Sequence, residues 1–136
     1  PTGTVALDAL PAFLGAMVFG PGFGALSAAL GHLFSSLFAG FPMSFPLHLL
    51  VAVQMAVTAY CIGYVKSFNL IWATVLGIFL NGVLAPACFI LLPQFGWAFF
   101  TGMLLPLLVG STVNVGGATL IYQVLPKRPY NIAGGQ

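Results

Sequence analysis

The stretch LHLLVAVQMAVTAYCIGYV, Leu47 to Val65, decides the fold. It carries no charge, it is mostly apolar, and it lies between Pro46 and Lys66. A helix needs about 20 apolar residues to cross about 30 Å of hydrocarbon, and this stretch is that long. Four further apolar stretches surround it: Val5 to Gly20, which is short, Phe23 to Ala39, Leu70 to Leu92, and Trp97 to Leu125. The breaks between them hold the residues that stop helices. Gly20-Pro21-Gly22 separates the first two, and the run from Gly40 through Pro42 to Pro46 separates the next two. Lys66-Ser67-Phe68-Asn69 and Pro93-Gln94-Phe95-Gly96 make the last two turns. Proline removes a ladder donor and glycine loosens the backbone, so each cluster ends a helix. No ten-residue alternation of apolar and polar residues supports a membrane-spanning strand.

Composition excludes the alternatives. Of the 136 residues 60% are hydrophobic and 3% charged, against about 25% charged in soluble domains. Asp8, Lys66, Lys127 and Arg128 are the only charges, and four charges do not make a soluble surface. Disordered chains are polar and poor in aromatics, so disorder is excluded as well. The net charge of +2 forms no basic stripe for a nucleic acid. Cys61 and Cys88 lie inside apolar runs and read as small buried hydrophobes. No metal-ligand spacing is present.

The expected architecture is all-α: a compact bundle of five transmembrane helices in one domain, residues 1–136. Lys66, Lys127 and Arg128 fall at one end of such a bundle, which the positive-inside rule makes cytoplasmic. Asp8, the Gly40–Pro46 loop and the Pro93–Gly96 turn then face outside. An external N-terminus without a basic leader is unusual. A sixth helix ahead of Pro1, absent from this sequence, would put both ends inside.

Two groups of residues are candidates for function. Gly20, Gly24 and Ala28 recur every fourth residue, with Ala25 beside them. Small residues so spaced let helices approach closely in lipid, either within the chain or at a docking face for another membrane subunit. The second group is polar: His32, His48, Gln54, Asn81, Thr112 and Asn114 all fall within spans. Such residues are costly in a membrane and face protein or a cavity. One carboxylate and no glutamate leave nothing for paired acid–base catalysis. No Gly-x-Ser-x-Gly or His-Glu-x-x-His motif occurs, so an enzyme is not expected. The chain has neither a charged ring for a channel nor a nucleotide motif that could power transport.

The run Pro1-Thr2-Gly3-Thr4-Val5-Ala6-Leu7-Asp8, followed by Gly20-Pro21-Gly22-Phe23-Gly24-Ala25, Ala29-Leu30-Gly31-His32-Leu33, Gly40-Phe41-Pro42 and Pro46-Leu47-His48, resembles the substrate-binding S components of energy-coupling factor (ECF) vitamin transporters. The Thr-Gly-Thr-Val-Ala-Leu-Asp loop and the two histidine pairs look most like members assigned to cobamide precursors such as α-ribazole. The resemblance implies six helices and capture of a vitamin or precursor from outside. It also implies docking on a membrane scaffold subunit with two ATPase subunits, which use the ATP; this chain itself carries no cofactor. The family's Ala-x-x-x-Ala docking motif belongs to its first helix, the one expected ahead of Pro1, so docking rests on Gly20, Gly24, Ala25 and Ala28.

The expected pocket is roofed by the outer loops. Thr2, Thr4 and Asp8 supply hydrogen bonds from the first loop, and Asp8 has a second reading as a helix N-cap. His32, His48, Gln54 and Asn81 line the pocket, and Phe41, Phe45 and Trp97 close over a ring. The rivals are a structural or assembly subunit without a ligand, and a stand-alone secondary carrier.

Overall fold

The computed structural model describes residues 8–126. Among them the chain is helical, with no strand. We number five helices: α1 (Leu10–Phe19), α2 (Pro21–Phe38), α3 (Phe45–Lys66), α4 (Leu70–Leu91) and α5 (Gly96–Val124). Helices α3, α4 and α5 are long and apolar enough to cross a membrane. The other two expected spans differ. Helix α1 has ten residues, which rise only about 15 Å. It begins at Leu10 because Pro11 suits a first turn, and it stops at Gly20, whose φ of 104° suits glycine. Helix α2 is longer, but His32 and its serines dilute its apolar character.

Short as it is, α1 is the centre of the molecule. Phe13, Ala16 and Met17 are each 0% exposed, and α1 packs on α2, α3 and α5. The approach is closest at Ala16. A Cβ added to Gly24 would lie 2.2 Å from the Ala16 Cβ. One added to Gly63 would lie 2.8 Å from the Ala16 carbonyl oxygen and from Pro21 Cα. Three helices therefore meet where two of them have no side chain. This corrects the docking assignment. Gly24 and Ala28 are buried within the chain, and of the four expected docking residues only Gly20 and Ala25 are half-exposed.

The ends of the bundle follow from two contacts. Lys66 Nζ lies 4.9 Å above the Tyr122 ring, so α3 and α5 finish at the same end. Gly63 meets Pro21, which puts the α1–α2 corner there as well. The α2–α3 loop therefore lies at the opposite end. In that loop Phe41 (φ 48°) and Ser44 (φ 100°) both hold left-handed backbone without being glycine. Cys61 and Cys88 are free thiols, Cys61 near the Lys66 end of α3 and Cys88 near the opposite end of α4.

Helix α4 is irregular. Pro86 has no N–H, and the ladder adjusts through a π turn at Leu80–Leu84, in which the Ala85 N–H reaches Leu80 O. The helix then tightens to a 3-10 turn at Phe89–Leu91. Its start is regular: the Asn69 side chain accepts from the Trp72 N–H at 3.0 Å.

The glycine contacts give a direct test. Gly24→Val and Gly63→Val should each lower the unfolding temperature in detergent, by about 1–3 kcal/mol of overpacking. Gly31→Val, where a Cβ meets nothing within 4 Å, should leave it unchanged apart from propensity. Equal behaviour of all three would rule out Ala16 as the packing hub.

Candidate functional site: a cavity at the end opposite Lys66

A cavity of about 290 Å³ opens among α2, α3, α4 and α5. Its lining residues come mostly from the halves of these helices that lie away from Lys66, with Ser111 and Asn114 just past the middle of α5. The wall is largely apolar, with Met43, Met55, Met103, Phe89 and Phe99 among its members. Phe89 and Phe99 pack together at 5.0 Å between ring centroids. The polar members are Asp8, His32, Gln54, Asn81, Ser111 and Asn114. They come from the segment before α1 and from all four other helices.

Asp8 is deeper than expected. The Leu10 N–H donates to Asn114 Oδ1 at 2.9 Å, and a Cβ on Gly117 would meet the Leu10 side chain. Asn114 lies ten residues before the end of α5, about 15 Å from it. The start of α1 is therefore well inside the bundle, and Asp8 lies on the floor of the cavity rather than in its roof. Nor is Asp8 a helix cap. The N-cap position is Ala9, which makes no side-chain cap bond, and Asn114 caps the helix from across the fold. That leaves the Asp8 carboxylate accessible, with no hydrogen bond or ion pair to a described residue.

The amides of the wall are oriented by their partners. Gln54 donates through Nε2 to the Ala85 carbonyl at 3.3 Å. That carbonyl is available because the Phe89 N–H turns to Pro86 and Ala87 instead. Gln54 Oε1 is left buried with no partner. Asn81 donates to Ser111 Oγ at 2.9 Å. Asn114 donates to Gly110 O while accepting from Leu10.

Behind His32 lies a compact cluster. His32 Nε2 and His48 Nδ1 are 3.2 Å apart, and Ser36 Oγ is 3.3 and 2.9 Å from them. An imidazole nitrogen either donates or accepts, so at most two sides of this triangle are ordinary hydrogen bonds. His48 Nε2 is buried without a partner.

Of the expected pocket residues, Asp8, His32, Gln54 and Asn81 line the cavity. His48 does not; it is buried behind His32. Phe41 packs against His48 (5.7 Å) and Phe45 (5.3 Å), away from the lining, and Phe45 is more than half exposed. Trp97 is 67% exposed and stacks edge-on against Phe100. It belongs to the outer surface and does not line the cavity. Thr2 and Thr4 lie outside the described residues. Sequence reading missed Ser36, Ser111, Pro86 and Pro106 as participants. The Pro86 signal was visible, since an internal proline in a span marks a broken ladder.

No family model, curated protein or solved structure matches the chain.

The cross-fold cap is testable. Asn114→Leu removes the acceptor of the Leu10 N–H and should cost about 1–3 kcal/mol. Thr112→Val, at an exposed position where the hydroxyl bonds only Leu108 O, should cost far less. Thermal unfolding of both variants in one detergent checks this, and equal loss would exclude a special role for Asn114.

Proposed function

We propose that this chain is the substrate-capture subunit of an ATP-driven importer of the ECF type, taking a vitamin or vitamin precursor from outside the cell. The observation that carries the reading is the cavity itself. In a chain almost without charge, a carboxylate, an imidazole and oriented amides from separate helices converge on one concave, mainly apolar space. Ligand sites have that composition. The sequence resemblance to ECF S components points the same way. In this reading the chain sits in a prokaryotic plasma membrane as a single domain of five helices, with a sixth ahead of Pro1. Lys66 and the C-terminus are cytoplasmic, so the cavity end faces outward. A scaffold subunit and two ATPase subunits supply the power stroke, with Gly20 and Ala25 the docking residues still partly accessible. The cobamide-precursor subgroup is the substrate range that the first loop and histidine pairs favour.

The test is native mass spectrometry of protein purified from membranes, paired with thermal unfolding against a panel of vitamins and precursors. One bound small molecule, or saturable stabilisation growing as RT ln(1 + [L]/Kd), is expected. A bare mass together with no stabilisation by any compound would favour an assembly subunit whose polar residues only join helices. Ligand exchange driven by a gradient without any ATPase would favour a secondary carrier.

A further inference from the structure

We infer that the cavity selects a ligand rich in hydrogen-bond donors, neutral or cationic, and rejects anions. This rests on the reading of the cavity as a ligand site and goes beyond it by fixing the chemistry of the occupant.

The argument is an inventory of uncommitted polar atoms. The Asp8 carboxylate lines the cavity and carries negative charge; His32 feels that charge, but no described residue gives Asp8 a hydrogen bond or an ion pair. Gln54 Oε1 is a buried acceptor with no partner, and its orientation is fixed because Nε2 faces a carbonyl. Asn81 gives one of its two amide hydrogens to Ser111 and keeps its carbonyl as an acceptor. On the donor side the wall has little. Among the described residues Ser111 is its single hydroxyl, and Asn114 and Gln54 each give one amide hydrogen to a carbonyl. The His32 Nε2 is engaged with Ser36 and His48. Among the described residues no lysine or arginine lines the space, and Lys66 lies at the other end of the bundle.

An acceptor at depth in a membrane protein is unfavourable when unpaired, and a carboxylate more so. A ligand that brings N–H or O–H groups relieves both. A ligand carboxylate or phosphate would meet acceptors of like polarity with no cation to neutralise it. The methionines and the Phe89–Phe99 pair suit an apolar or aromatic body between the donor groups.

The experiment uses three indole probes of nearly equal size and different charge: tryptamine (cation), tryptophol (neutral donor) and indole-3-acetate (anion). Each is titrated by isothermal calorimetry and thermal shift against wild type, Asp8→Asn and Gln54→Leu. Wild type should bind tryptamine most tightly, tryptophol more weakly and indole-3-acetate not detectably. Asp8→Asn should lose about 10- to 100-fold in tryptamine affinity, the worth of a charge-assisted bond, and so level tryptamine with tryptophol. Its unfolding temperature should hold, because Asp8 caps nothing. Gln54→Leu should weaken both donors alike. Binding of indole-3-acetate as tightly as tryptamine overturns the charge inference while leaving a ligand site in place. Unchanged preference in Asp8→Asn overturns the role of Asp8. Binding of none of the three removes the inference and, with it, the site reading.

Discussion

The structure depends on the close approach at Ala16. In lipid, helices gain little from hiding apolar surface from one another, so contact distance and van der Waals packing decide which pairs form. Gly24 and Gly63 let α2 and α3 close on α1 from two sides, and Gly20 allows the chain to turn the corner between α1 and α2. A ten-residue helix thus becomes the centre of the bundle instead of a span. Because α1 is short, its first residue begins at depth, and the segment before it reaches the cavity floor. The position of Asp8 follows from packing some ten residues away.

Polar contacts then set register between the longer helices. Thr74 and Thr119 hydroxyls meet at 2.7 Å between α4 and α5. Asn81 and Ser111 tie the same pair further along, Gln54 joins α3 to α4, and the histidine–serine cluster joins α2 to α3. His32, Gln54, Asn81 and Ser111, which hold helices together, also line the space between them. The contacts of Gln54 and Asn81 use an amide donor and leave the amide oxygen uncommitted. Structural and functional readings of these polar residues are therefore not exclusive.

The sequence shows the stops clearly, because glycine, proline and lysine clusters end helices by local chemistry. Four helices begin and end within a few residues of their expected bounds. It also marks His32, Gln54 and Asn81 as candidates, since a polar group in an apolar span needs a partner wherever it is. Depth and neighbours are another matter. Nothing in the spacing of Gly20, Gly24 and Ala28 says whether their face meets Ala16 or a foreign subunit. Nothing local predicts that Asn114 caps a helix beginning 104 residues earlier. Phe41, Phe45 and Trp97 were placed by loop position alone, and aromatic rings at a bundle end can pack outward as readily as over a cavity.

The loop from α2 to α3 stores backbone strain. Phe41 and Ser44 hold backbone that side chains rarely adopt, at a cost of order 1–3 kcal/mol each. Between them Met43 contributes to the cavity wall. The rim is thus held in a tense shape by its neighbours, while the floor is anchored by a cross-fold cap. Relaxation of the Phe41–Ser44 backbone would therefore relieve strain, whereas displacement of the floor would break the bond from Leu10 to Asn114.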